Sequence, residues 1–362
     1  MRPFHNVHPD FRLNNVHYTF TDLKEVAYSF IKEGRPFEKV IGVFLLDWLD
    51  DSDFVTVHTS GSTGIPKPIS LKKEHMVNSA LATGSFFGLS SGDKALHCLP
   101  TGFIAGKMML VRALVLGLHI DVVTPSSSPL QQVEKRYDFG AMVPLQLQNS
   151  IENIDIIDTL IIGGAPLSGA LKAKVKKMDA HIFETYGMTE TITHIAVKQI
   201  NKTLSIGTDN VDDVFTALPN VYFEIDERGC LIIDAPKISN IPIITNDIVD
   251  LISTTKFRWL GRYDNIINSG GIKLIPEQIE SILSQTISNT FFVAGLPDDM
   301  LGESLVLVVE GNISVEHVKK ILNKTNGLSK HQIPKDVFVL PKFSKAKNGK
   351  INRSNTLALL TT

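Results

Sequence analysis

Phe54-Val-Thr-Val-His-Thr-Ser-Gly-Ser-Thr-Gly-Ile-Pro-Lys67 is the stretch from which the rest of the chain can be read. Phe54 to His58 alternates apolar and polar residues as a strand does. Thr59, Ser60, Gly61, Ser62, Thr63 and Gly64 then make a loop of small and hydroxyl residues, left through Pro66, Lys67 and Pro68. Lys73 to Phe87 reads as the helix that follows. Phosphate suits a loop between a strand and a helix. Glycines let backbone N–H groups approach an anion, hydroxyls add donors, and the helix offers its positive end. Lys67 adds a point charge. The loop lacks the Gly-Lys-Ser/Thr ending of a Walker loop, which argues against a Ras-like or ATPase-like protein. Taken alone, a solvated Ser/Gly linker is the alternative.

Outward from the loop the chain alternates strands and helices. Ala95–Leu99, Ile120–Val123, Ala141–Val143 and Thr159–Ile162 read as short strands, Met108–Ile120 as a buried helix and Ser168–Lys177 as a basic one. This is α/β layering. Residues 1–50 read as a lead-in with one helix, Leu23–Glu33, capped at Thr21-Asp22. Beyond residue 200 short strands and turns dominate, and the last hundred residues read as a compact α+β unit. The expected architecture is a large N-terminal α/β domain, 1–262, and a small C-terminal α+β domain, 263–362.

The bulk properties set limits. The 362 residues are 43% hydrophobic and 20% charged, with a formal net charge of −2, the balance of a soluble globular protein of two or three domains. Nothing calls for a nucleic acid or an anionic membrane as partner. The most apolar stretch carries Arg112 and is too short to span a bilayer. The first residues lack the apolar core of a signal peptide. Cys98 and Cys230 offer neither a disulfide framework nor a metal cluster, so a cytoplasmic home is expected.

The loop resembles the Thr-Ser-Gly-Ser/Thr-Thr-Gly-x-Pro-Lys signature of the adenylate-forming superfamily, which holds acyl-CoA synthetases, luciferases and peptide-synthetase adenylation domains. Four further blocks come after it in that family's order. Tyr186-Gly-Met-Thr-Glu190 resembles its Tyr-Gly-x-Thr-Glu block. The resemblance implies that Tyr186 lies in the ATP site, Thr189 contacts a phosphate and Glu190 holds Mg²⁺, a hard cation that prefers oxygen. Thr245-Asn-Asp247 resembles a Thr-Gly-Asp block whose aspartate accepts from the ribose hydroxyls; Asn246 replaces the glycine. Gly261-Arg262-Tyr-Asp264-Asn-Ile-Ile-Asn-Ser-Gly270-Gly271-Ile-Lys273 resembles the block that joins the two domains. It implies Arg262 on ribose or phosphate, Asp264 as the hinge, and Gly270, Gly271 and Lys273 at the thioester step. Gly349-Lys350-Ile-Asn-Arg353 resembles the C-terminal Gly-Lys block and makes Lys350 the catalytic lysine of adenylation. Gly163 and Gly164 would line the adenine and acyl sites. Only about fifty residues precede the phosphate loop, so the large domain reads as truncated relative to the family.

The resemblance implies an AMP-forming acid–thiol ligase that uses ATP, Mg²⁺ and coenzyme A, with Lys350, Thr189 and Glu190 as its catalytic residues. His58, His75 and His97 read as structural. The short form and the run Thr189-Glu-Thr-Ile-Thr-His194 resemble the o-succinylbenzoate–CoA ligase family of menaquinone synthesis. That acid carries a second carboxylate, so its pocket needs a cation or several donors. Phe103, Lys107, Arg112 and His194 are the candidates. An aryl- or fatty-acyl-CoA ligase, a stand-alone adenylation domain that loads a carrier protein, and a non-catalytic nucleotide-binding protein are the rivals. The sequence leaves a homodimer open.

Overall fold

The computed structural model describes residues 7–58, 68–201, 213–345 and 351–360. Thr59, Ser60, Gly61, Ser62, Thr63, Gly64, Lys67 and Lys350 lie outside the described residues.

Helix α1 (Phe20–Glu33) starts at Thr19 rather than at Thr21-Asp22. The Thr19 hydroxyl accepts from the Asp22 N–H, and the Asp22 carboxylate accepts from the Thr19 N–H at 2.9 Å, a reciprocal capping box. A second helix, α2 (Pro36–Leu49), occupies a stretch that the sequence presents as plain lead-in. Pro36 supplies a preset φ at its first position, and Glu38 accepts from the Arg35 N–H at 2.7 Å. Ile41, Phe44, Leu45, Trp48 and Leu49 are buried and belong to the largest apolar cluster of the molecule.

The phosphate-loop candidates do not run from a strand into a helix. Phe54–His58 pairs antiparallel with a second strand, Pro68–Lys72, from Phe54 opposite Lys72 to His58 opposite Pro68. Helix α3 (Lys73–Phe87) begins only after that second strand, at the end of the hairpin away from the loop. The helix therefore does not follow the loop directly, contrary to the sequence-based expectation. The start of α3 is fixed elsewhere: the Lys73 N–H donates to Asp53 O at 2.8 Å, and the buried Lys73 ammonium donates to the Asp50 carboxylate at 2.7 Å.

Strands Lys94–His97, His119–Val122, Tyr137–Met142, Ile157–Ile162 and His181–Gly187 are parallel neighbours. Alternate residues on them enter different clusters. Ala95, Phe139, Ala141 and Ile161 join α1, α2, α3 and α4 (Ile104–Leu116); Leu96, Met142, Leu160, Ile162 and Ile182 join the opposite side. Both faces are thus covered, as a parallel sheet requires. From His181–Gly187 onward the sheet turns antiparallel through His194–Gln199, Phe215–Ala217, Lys256–Arg262, Ile243–Ser253, Cys230–Asp234 and Tyr222–Ile225; with Arg12–Leu13 and Val16–His17 at the opposite edge, beside His119–Val122, it has thirteen strands among the described residues. A separate five-stranded sheet is built from Ile267–Ser269, Ile272–Leu274, Phe291–Asp298, Gly302–Glu310 and Asp336–Leu340, with its own apolar clusters. The α/β reading with a smaller α+β part at the C-terminal end matches this arrangement.

Candidate active site

In an open parallel sheet, ligands collect where the strands end. Strand Ile157–Ile162 ends on Gly163 and Gly164. The Gly163 N–H donates to Met142 O at 3.1 Å, and Gly164 has φ of 90°. A Cβ at Gly163 would sit 2.8 Å from the Thr185 hydroxyl, so the strand end tolerates no side chain there.

The neighbouring strand, His181–Gly187, carries Tyr186 and ends in a tight turn through Thr189 and Glu190 to His194. A Cβ at Gly187 would lie 2.2 Å from Thr193 O. Ile192, buried and β-branched, takes φ of 66°, a costly conformation for such a residue. The Thr191 hydroxyl accepts from the Met188 N–H at 2.9 Å and reaches Met188 O and Thr193 O. The turn sets His194 directly opposite Gly187. Glu190 is exposed and Thr189 half-buried at its tip. Among the described residues no group of three or more His, Cys, Asp or Glu side chains could hold a metal. A single exposed carboxylate fits Mg²⁺, which keeps waters and takes phosphate oxygens alongside one or two carboxylates.

Tyr186 reaches across to Asp247. Its hydroxyl donates to Asp247 Oδ2 at 2.6 Å, and the Trp259 indole N–H donates to Asp247 Oδ1 at 3.2 Å. Arg262 Nη1 stands 3.6 Å from the same oxygen, from the position opposite Asp247 on the adjacent strand. Burial, then the Asp247 charge, push the Tyr186 phenol well above its ordinary value, so it remains a donor.

Asp264 lies in the turn after Arg262 and is exposed. Asn246, the residue in place of glycine, donates its amide to both Asp264 oxygens at 3.2 Å and accepts from Arg228 Nη1 at 2.9 Å. Arg262 Nη2 donates to Asp264 at 3.0 Å. Gly270 and Gly271, at φ of 59° and 81°, form the turn between two strands of the small sheet, with Lys273 exposed just beyond.

The four acid-pocket candidates separate. Lys107 and Arg112 are five positions apart on α4, hence about 140° around its axis. Lys107 faces α2, its ammonium 4.7 Å from the centre of the Phe44 ring. Phe103 precedes the helix and is 49% exposed. Arg112 and His194 meet inside. Arg112 Nη2 lies 3.3 Å from His194 Nδ1, Nε donates to the Thr83 hydroxyl at 3.3 Å, and Nη1 lies 3.6 Å from the Met109 sulfur. Thr83 donates to Ser79 O at 2.9 Å, which leaves its lone pairs for Arg112 and for His194 Nε2 at 3.4 Å. Burial pulls Arg112 down to about 9. Burial, then the Arg112 charge, hold His194 well below its usual value and therefore neutral. Arg112 is 1% exposed, and among the described residues no carboxylate pairs with it. Of its five N–H donors, three have the partners named and two remain.

Sequence reasoning does not single out Thr83, Ser79 or Trp259. One signal is present: Ser79 and Thr83 are four apart on an otherwise apolar helix face, one turn above each other. His97, expected to be structural, is buried with Nε2 2.8 Å from the Thr101 hydroxyl, and burial lowers it to about 4. Cys98 and Cys230 are buried free thiols. No helix among the described residues is long and apolar enough to cross a membrane.

Comparison with known proteins gives the family and the fold. Residues 36–232 match the AMP-binding enzyme family. A 2-succinylbenzoate–CoA ligase from Listeria monocytogenes serotype 4b is 24% identical over 347 residues, which cover 86% of this chain and 71% of that protein. The crystal structure of an acyl-CoA synthetase (AMP-forming)/AMP-acid ligase II-like protein from Dyadobacter fermentans is 33% identical with a TM-score of 0.61, over 93% of this chain and 98% of that one. The o-succinylbenzoate CoA synthetase of Bacillus subtilis, in complex with its acyl-adenylate intermediate, is 16% identical with a TM-score of 0.77, over 95% and 94% of the two chains; it shares the fold.

Proposed function

This chain belongs to the AMP-binding enzyme family, and on that premise we propose that it is an AMP-forming acid–CoA ligase whose acid is o-succinylbenzoate. The observation that carries the acid is Arg112, a buried guanidinium with two free N–H donors and no carboxylate among the described residues. A buried cation without a partner is costly. A dicarboxylate resolves this: one carboxylate reacts, and the other accepts from Arg112. A benzoate or a fatty acid would leave the guanidinium unpaired.

In the first half-reaction a carboxylate oxygen attacks the α-phosphorus of ATP in line and pyrophosphate leaves. Asp247 accepts from the ribose hydroxyls, Tyr186 lines the nucleotide, and Lys350 with Thr59 to Thr63 and Lys67 offsets the charge that builds on the phosphate oxygens. Glu190 would hold Mg²⁺, which when bound supplies positive charge at the phosphates. In the second half-reaction the thiol sulfur of coenzyme A attacks the acyl carbon, its proton is lost, and the C–O bond to AMP breaks. Residues 263–362 act as a lid that turns about Asp264 between the two steps, withdrawing Lys350 and bringing in Gly270, Gly271 and Lys273.

The test is AMP and thioester formation from o-succinylbenzoate, ATP and coenzyme A, beside benzoate and decanoate. Turnover confined to o-succinylbenzoate is the expected result. Turnover of benzoate or decanoate with none of o-succinylbenzoate would remove that acid. AMP release without a coenzyme A thioester would remove the ligase and favour a carrier-loading domain.

A further inference from the structure

We infer that Trp259 is a positioning residue for the nucleotide: its indole N–H fixes the Asp247 carboxylate so that one acceptor site on each oxygen faces the ribose diol. The inference rests on the reading of Asp247 as the ribose acceptor.

The register of two strands brings Trp259 there. Asp247 lies opposite Arg262 and Ile248 opposite Gly261, but Val249 lies opposite Trp259, so Leu260 is an extra residue in a bulge. Residues directly opposite each other share a face, and faces alternate along a strand. Asp247 and Val249 share a face, so their partners Arg262 and Trp259 share it too. In an unbroken strand, residues 259 and 262 would point to opposite faces. The bulge at Leu260 re-aims one of them, as bulges near functional sites do. Trp259 then stands diagonal to Asp247, a separation that an aromatic side chain spans.

Donor counting gives the role. A carboxylate has about four acceptor positions, two per oxygen. Tyr186 occupies one on Oδ2 and Trp259 one on Oδ1. One position per oxygen remains, the number that two adjacent hydroxyls require. Asp247 is 6% exposed, so solvent does little to orient it, and loss of the indole N–H leaves Oδ1 with only the longer Arg262 contact at 3.6 Å, beyond hydrogen-bond distance.

The experiment measures KM and kcat for Mg-ATP and Mg-2′-deoxy-ATP in the wild type and in Trp259→Phe. In the variant, KM for ATP should rise about tenfold, the scale of one hydrogen bond to a charged group, with kcat within about twofold. KM for 2′-deoxy-ATP should change little, so the preference for the ribonucleotide narrows. A variant that keeps the wild-type preference, or loses both nucleotides equally, overturns the inference. If Trp259→Phe melts well below the wild type, benzothienylalanine at this position, which keeps the bicyclic shape and lacks the N–H, carries the same comparison. Failure of the underlying reading looks different: the wild type itself would not discriminate between ATP and 2′-deoxy-ATP.

Discussion

Two buried charges, Asp247 and Arg112, are provided for in opposite ways. Asp247 has a phenol, an indole and a guanidinium around it. Arg112 has a hydroxyl, a neutral imidazole and a thioether, and no opposite charge among the described residues. The first is a completed cradle with room for weak donors such as hydroxyls. The second is a cation whose partner, on the proposed reading, is the acid. An unpaired buried ion costs several kcal/mol, which is why the proposed acid is one with a second carboxylate.

The largest test of that contrast is Arg112→Met. Removal of one partner of a buried charge pair costs about 2–5 kcal/mol of binding, so kcat/KM for o-succinylbenzoate should fall by about a thousandfold. The melting temperature should hold or rise, because an apolar residue of similar length no longer buries a lone charge. Full activity in this variant would break the comparison. Asp247→Asn is the counterpart. Its effect should fall on the nucleotide, with KM for ATP about a hundredfold higher, on the scale of two hydrogen bonds to a charged group, and with the affinity for the acid unchanged in a direct binding measurement.

A smaller effect comes from the neutral histidines. Burial holds His97 near 4 and His194 well below its usual value. Below about pH 6.5 the unfolded chain takes up protons that the folded chain refuses, so stability falls as pH drops, and for His97 the fall ends near pH 4. By pH 5 the loss from His97 is about 2 kcal/mol, with His194 adding in the same direction, readable as melting temperature between pH 7 and pH 5. His97→Gln should flatten that acid limb. The smallest effect belongs to exposed Asp264, the proposed hinge. Asn246→Gly removes two hydrogen bonds to Asp264 in a solvent-screened place, worth about 0.2–1 kcal/mol. Adenylation and thioester formation, measured separately, should change in ratio by about twofold to fivefold, with neither abolished.

Legibility in the sequence depended on whether the signal was local. Tyr186 to Glu190, Asp247 and Arg262 to Lys273 are contiguous strings, and the structure joins Tyr186 to Asp247 and Asp247 to Arg262. Helix α2 escapes a sequence reading because its apolar residues surround most of it and hide the 3.6-residue period, although Pro36 and Glu38 mark its start. The helix end expected at the phosphate loop is misplaced because Pro68–Lys72 is as short and mixed as a loop, and only pairing with Phe54–His58 makes it a strand. Lys107 and Arg112 are separable in the sequence by counting 100° per residue. The role of Thr83 is not, since the Ser79–Thr83 pair on α3 gains meaning only from Arg112 and His194, which other elements deliver.

The strained turn between Gly187 and His194 has a thermodynamic consequence. Its conformation is over-determined by a glycine with no room for a Cβ, an isoleucine held at positive φ and a threonine hydroxyl that bridges both arms. Tyr186 on one arm and His194 on the other are therefore tied through one turn. If Tyr186 serves the nucleotide and His194 the acid, as proposed, occupation of either site would change the free energy of filling the other, and by linkage the factor would be the same in both directions. A substitution in this turn aimed at a new acid is at the same time a change in nucleotide affinity, so the two preferences are expected to evolve as a pair.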